Sequence, residues 1–202
     1  MRSSTLLVIL LAALFVAKTG LAQVDRAVIA VAPVGDSPRE AIEAVLPEIR
    51  EAFGAETVLA PTVAMPVSAY EPARRQTLST VILDALAAAK RPGWERLLGV
   101  ADVDLYVPDL NFVFGEADSR RGVAVFSLAR LHARDESLFR KRAATEAIHE
   151  LGHTYGLAHC SDPGCVMWFS NSLSESDRKG TRFCFRHAAE LNRARSRLGP
   201  GR

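Results

Sequence analysis

Apolar positions along the chain change their period several times, and each change marks an element. Residues 27–34 (AVIAVAPV) form an apolar run rich in Val and Ala, the pattern of a buried strand. From Ser37 the period lengthens: Ile42, Val45, Leu46, Ile49 and Phe53 recur at helical spacing. Ser37-Pro38-Arg39-Glu40 reads as N-cap, first-turn proline and capping-box glutamate, and Gly54 suits the C-terminal stop. Pro47 lies inside this helix and is expected to kink it. Thr57 to Met65 reads as a second strand, weakened by Pro61. Leu78, Val81, Ile82 and Leu86 predict a longer helix from about Arg74 to Lys90, ended by Pro92-Gly93.

Two strand-like segments, 103–107 (VDLYV) and 110–114 (LNFVF), are joined across Pro108-Asp109. A polar loop, Gly115 to Gly122, leads to a further strand from Val123 to Leu131 (VAVFSLARL). The next helix, with Asp135 or Ser137 as its cap, carries Ala144, Ile148, Leu151 and Tyr155 on one side. Beyond Gly156 the pattern becomes irregular until a last helix from about Arg186. The pattern predicts an α/β (α+β) fold: a mixed sheet with helices over residues 23–157, then a small irregular part, 158–202, with one helix.

The N-terminus falls outside this scheme. Arg2 opens a short basic region, Leu6 to Ala17 is apolar, and Gly20-Leu21-Ala22 resembles a small-x-small cleavage site. The apolar run is too short to span a membrane comfortably, so residues 1–22 read as a secretory signal peptide, with a retained N-terminal anchor as the alternative. Export to the periplasm or medium, with no stable membrane association after cleavage, is the expectation. Removing Arg2 and Lys18 lowers the 25 Lys and Arg to 23, against 23 Asp and Glu. Such a balance gives no reason to invoke nucleic acid or an anionic surface. About 180 residues remain, enough for one domain with a proper core, and the expected state is a monomer.

The candidate chemistry is concentrated in His149-Glu150-Leu151-Gly152-His153-Thr154-Tyr155-Gly156-Leu157-Ala158-His159. Histidines four apart lie on one helix face, so both imidazoles can reach one ion. Gly156 can take the positive φ that ends the helix, and the returning chain can supply His159 as a third nitrogen. Three protein ligands with one open position describe a catalytic zinc, whereas a structural zinc is usually closed by four. Glu150, next to the first ligand, is placed to act on a water. With Met167 downstream, this is the HExxHxxGxxH…Met signature of the metzincins.

All three cysteines lie within about 25 residues downstream of this motif, odd in number and clustered. Cys160, Cys165, Cys184 and His187 make a set of three thiolates and one imidazole suited to a closed tetrahedral zinc, which would fold a segment with little core of its own. The alternative is a Cys160–Cys165 disulfide with Cys184 a free thiol, which an exported protein would favour.

These residues resemble the archaemetzincins, a metzincin subfamily whose members carry HExxHxxGxxHC, a second Cys five residues on, a methionine two further, and a late C-x-x-C. His149 through Cys165, with Met167, match without a gap, and the segment DLYVPDLNFVFGEA and strand VAVFSLARL also look like the family's. Here the late pair is Cys184-x-x-His187, about one residue early, and the N-terminal signal is unusual in the family. The resemblance implies a metzincin-type zincin domain and a zinc metallopeptidase acting on peptides or proteins, with two zinc ions, one catalytic and one structural. It implies that Glu150 is the general base, that Met167 forms a turn beneath the metal, and that an antiparallel edge strand lines the cleft. Val123, Val125 and Ser127 are the expected edge positions. His132 is expected to be exposed, and Trp168 and Phe169 either shape a side-chain pocket or pack in the core. A non-catalytic zinc-binding module on the same scaffold is the rival reading, but intact Glu150 argues against it, because a scaffold needs only the ligands. A redox role for Cys160 and Cys165 is weaker still, with no nearby lysine and no C-x-x-C. Cleavage preference, and endo- against exopeptidase action, stay open.

Overall fold

In the computed structural model, which describes residues 27–198, the first apolar run becomes β1 (Val28–Pro33), followed by α1 (Arg39–Phe53) and β2 (Glu56–Leu59). The expected signal peptide over residues 1–22 lies outside the described residues. α1 ends as its sequence predicts, on Gly54 at φ 58°. It does not begin as predicted: Pro38 is the N-cap, and the Ser37 hydroxyl instead donates to the Val34 carbonyl at 2.8 Å.

A short 3₁₀ turn and two brief strands follow, β3 (Tyr70–Glu71) and β4 (Gln76–Leu78), and only then α2 (Ser79–Ala89). The helix expected from about Arg74 therefore starts five residues later. Gln76 and Thr77 are used in a small sheet of order β3-β4-β6, where β6 is Leu105–Tyr106. Between α2 and β6 runs β5 (Trp94–Ala101), a strand that the apolar pattern did not mark. Residues 110–114 form no strand beyond a single bridge from Val113 to Leu105. The polar stretch after them supplies β7 (Gly115–Asp118), and β8 (Val123–Ser127) stops four residues before Leu131. α3 (Glu136–Thr154), the four-residue α4 (Leu173–Ser176) and α5 (Phe185–Leu198) complete the described chain.

The main sheet has the order β2-β1-β5-β8-β7, parallel except for β7, which pairs antiparallel to β8. Alternating side chains of its inner strands leave on opposite faces. On one face Ile29, Val31, Leu98, Val100, Ala124 and Phe126 pack under α1 and α3. On the other, Ala30, Ala32, Leu97, Val123 and Val125 pack under α2 through Ile82, Leu83 and Leu86. Gly99 brings α2 close, since a Cβ there would sit 2.7 Å from Leu86 Cδ1. Each fully buried Leu, Ile or Val contributes on the order of 1.5–3 kcal/mol. The segment after α3 has no separate core: Leu157, Val166, Met167 and Leu191 join the cluster formed by α1 and α3. Among the described residues no helix is long and apolar enough to cross a membrane.

Candidate active site

α3 starts on Asp135, whose carboxylate accepts from the Ser137 N–H at 2.8 Å. Every residue from Ala143 to Gly152 is buried, because this stretch runs between the sheet, α1 and the returning C-terminal segment. Tyr155 closes the helix and Gly156, at φ +80°, turns the chain back as its sequence predicts. His149, His153 and His159 are thereby brought together, with one ring nitrogen of each within 4.8 Å of the others.

Two backbone carbonyls fix the imidazole tautomers. His149 Nδ1 lies 2.8 Å from the Val166 oxygen, and His153 Nδ1 lies 2.8 Å from the Leu157 oxygen. A carbonyl only accepts, so each Nδ1 carries the proton and each Nε2 presents a lone pair. Those two Nε2 atoms face each other at 3.1 Å. Two acceptors at that distance repel, and a cation shared between them relieves the repulsion. Burial holds all three imidazoles neutral: His149 lies well below its usual range, His153 is pulled down to about 4, and His159 is also lowered. Neutral imidazoles with free lone pairs are metal ligands, so the residues present fit an ion.

Met167 is fully buried beneath α3. A Cβ on Gly152 would lie 2.5 Å from its sulfur, so the missing side chain of Gly152 makes room for the methionine. The turn around Met167 is held by Cys160 N–H to the Met167 carbonyl at 2.8 Å and Val166 N–H to the Arg182 carbonyl at 2.9 Å.

Glu150 is 6% exposed. Burial pushes its carboxyl well above the usual carboxylate range; Glu146, one turn back on α3, adds to the rise and Lys179 opposes it. Gly115 of β7 lies against it, since a Cβ there would meet Glu150 Cγ and the Val125 carbonyl oxygen at 2.5 Å each. A cavity of about 590 Å³ takes in Glu150, the three histidines, Gly115 to Ala117, Phe169 and Lys179.

The expected edge residues need correction. Val123, Val125 and Ser127 lie on β8, which is paired on both sides, to β5 and to β7, and has no free edge. Val123 and Val125 are buried under α2, and Ser127 donates to the Val103 carbonyl at 2.5 Å. The strand with a free edge beside Glu150 is β7. Phe169 packs 4.8 Å from the His159 ring and is half exposed at the cavity, whereas Trp168 is not among the lining residues. His132 lies away from the cleft, as expected, stacked on Phe139 and 3.1 Å from Asp102.

Cys160, Cys165, Cys184 and His187 also come together, with their ligand atoms within 4.8 Å of one another. Cys160 and Cys184 sulfurs are 3.9 Å apart; His187 Nδ1 is 3.7 Å from Cys165 Sγ and 3.3 Å from Cys184 Sγ. Bonds of about 2.3 Å to a tetrahedral zinc place neighbouring sulfurs about 3.8 Å apart, so these edges fit one ion. His187 Nε2 lies 3.1 Å from the Ala158 carbonyl, which leaves Nδ1 free to ligate. The three thiols are free, and the near sulfur pair joins Cys160 to Cys184. Cys184 is pulled down to about 6, first by the His187 backbone N–H, whereas burial pushes Cys165 up to about 11.

Sequence reasoning missed Gly115, Glu116, Glu146 and Lys179 as cavity residues. Glu146 carried a usable signal, four residues before Glu150 on the same helix face. Lys179 carried none, since nothing local places an irregular segment against α3.

The chain matches the profile of Peptidase family M54 over residues 36–193. It is 44% identical over 151 residues to the archaemetzincin of Methanopyrus kandleri, covering 75% of this chain and 86% of that protein. The crystal structure of the archaemetzincin from Methanopyrus kandleri superposes with a TM-score of 0.79 at 36% identity, over 87% of this chain and 99% of that one. A zinc-dependent peptidase from Methanocorpusculum labreanum gives a TM-score of 0.74 at 28% identity, over 81% of this chain and 100% of that one.

Proposed function

The chain belongs to peptidase family M54, and from that premise we propose that it hydrolyses peptide bonds in the cleft beside β7, with zinc as the metal and Glu150 as general base. The observation that carries this reading is the pair of His149 and His153 Nε2 lone pairs facing each other at 3.1 Å, with Glu150 buried beside them.

His149, His153 and His159 would hold the catalytic ion, and Cys160, Cys165, Cys184 and His187 a second, structural one. When bound, the catalytic zinc supplies Lewis-acid polarisation of the scissile carbonyl and makes water more acidic. The chain's own residues do the rest. The Val166 and Leu157 carbonyls keep both helical imidazoles in the ligating tautomer. Glu150 accepts a proton from the attacking water on its carboxylate and returns it to the departing amine nitrogen, so the carboxylate is regenerated in each turnover. An extended peptide pairs with the free edge of β7 as a sixth strand, which brings its backbone past Gly115 and hence past Glu150. Phe169, beside His159, excludes water from one side of the reacting bond.

The test is the rate of cleavage of a proteome-derived peptide mixture, read by mass spectrometry, at matched zinc content. Glu150→Gln should keep its zinc and lose about a hundredfold or more in turnover, the usual loss when a general base is removed. A Glu150→Gln protein that cuts as fast as the parent would place the base elsewhere.

A further inference from the structure

Among the described residues two side-chain donors on the cleft make no hydrogen bond: the Lys179 ammonium, which has only a long ion pair, and the Ser170 hydroxyl. Lys179 lines the cavity that holds Glu150 and the three histidines, although its side chain is only 1% exposed. Among the described residues its one ion pair is with Glu146 Oε1 at 3.7 Å, beyond hydrogen-bond range. That oxygen already accepts from the Ser176 hydroxyl at 2.6 Å. Ser170 lines the same cavity, and its buried hydroxyl has no partner among the described residues. An unsatisfied buried hydroxyl such as that of Ser170 costs free energy, and an ammonium held 3.7 Å from its one carboxylate keeps donors to spare. The cleft's other acids do not relieve them. Glu116 is bound by the hydroxyls of Ser79 and Thr80, and Glu150 is committed to the reacting bond.

A buried ammonium and a hydroxyl facing one peptide-binding cavity are together satisfied by a carboxylate. We propose that Lys179, with Ser170, forms a carboxylate-binding subsite. The preferred peptides then carry an anionic group next to the bond that is cut, either an Asp or Glu side chain or the free carboxylate of a chain end. Glu146 sets the position of the ammonium without using its donors. The inference deepens the peptidase reading and rests on it. It differs from a purely structural role for the Lys179–Glu146 pair, because a tether between α3 and the C-terminal segment does not distinguish glutamate from glutamine.

Calorimetry on zinc-loaded Glu150→Gln protein, which binds peptides with little turnover, tests the proposal. The probes are acetylated, amidated alanine hexapeptides with Glu, Gln or Lys at the fourth residue, and the alanine hexapeptide with a free C-terminus. The Glu peptide should bind about tenfold tighter than the Gln peptide if the group is a side chain. The free-acid peptide should outbind its amide by a similar factor if the group is a chain end. The preference should disappear in Lys179→Met combined with Glu146→Gln, which removes both buried charges so that neither is left alone. It should weaken in Ser170→Ala, which loses one hydroxyl and keeps the pair. Equal binding of acid and amide forms in both comparisons, or a preference that survives both variants, overturns the proposal. Cleavage by the unmodified protein is read separately: its absence would count against the peptidase reading, while the binding comparison still decides the role of Lys179.

Discussion

Gly115 shows how one absent side chain sets the position of the proposed base, Glu150. Its Cα lies so close to Glu150 that a Cβ would stand 2.5 Å from Glu150 Cγ, and as close to the Val125 carbonyl oxygen. The second contact is backbone in the middle of a sheet and cannot yield, so an alanine there must displace the carboxylate or push β7 outward. Misplacement of a reacting group by about 1 Å can cost a hundredfold in rate. Gly115→Ala should therefore lower kcat by about tenfold to a hundredfold with zinc content unchanged, since none of the histidine partners touches this glycine. Parallel measurement of kcat and bound zinc checks this; an unaltered kcat would mean that Glu150 does not depend on the strand beside it. The histidines obey the same logic in another form. Their chemistry is set by two carbonyls, Val166 and Leu157, that belong to no motif.

Elements are held to one another by a few buried ionic contacts, and these carry a pH signature. Arg142 of α3 donates twice to Asp177, just past α4, at 2.6 and 2.8 Å, and its side chain is nearly buried. The Arg142 hydrogen bonds hold the Asp177 carboxyl below its usual range. A carboxyl whose folded pKa is depressed stabilises the fold above its unfolded value, about 3.9, and loses that contribution as pH falls through the folded value. Urea unfolding of Arg142→Gln against the parent should show a stability gap that is constant above about pH 5 and narrows below about pH 4. A gap independent of pH would mean that the contact with the Leu131 carbonyl, and not the ion pair, is what matters. Legibility in the sequence also divides at this scale. α3 was readable because its ligands, its apolar face and its terminating Gly156 are local. β8 was readable as a strand because pairing on both sides demands an apolar run, but that same pairing denies it the edge. β7 (GEAD) read as a loop because a strand bordering an open cleft has no apolar face to bury. β5 was hidden by Glu95, Arg96 and Gly99. Besides the neighbouring Glu95 carbonyl, buried Arg96 depends on the Tyr155 ring 4.1 Å from its guanidinium and on the Thr154 hydroxyl, which accepts from it at 3.0 Å, partners some 58 residues away.

In the molecule as a whole, both candidate metal sites hang on one short stretch. His159 and Cys160 are consecutive, and the Cys160 N–H bonds to Met167 beneath α3. The four-ligand cluster thus fixes the floor on which the three-histidine site rests, and the segment after Gly156 is packed into the core shared by α1 and α3. On the proposed reading two ions would have separate duties, one closed by sulfur and tied to folding, the other open and tied to turnover. Removing a histidine should empty the second without unfolding the first. The most direct measurement is the zinc content per chain of anaerobically purified protein, native and His153→Ala, at equal helicity. The account predicts two zinc ions in the native chain and one in His153→Ala, with hydrolysis lost. An unchanged zinc content in His153→Ala would contradict it, because the histidines would then hold no ion.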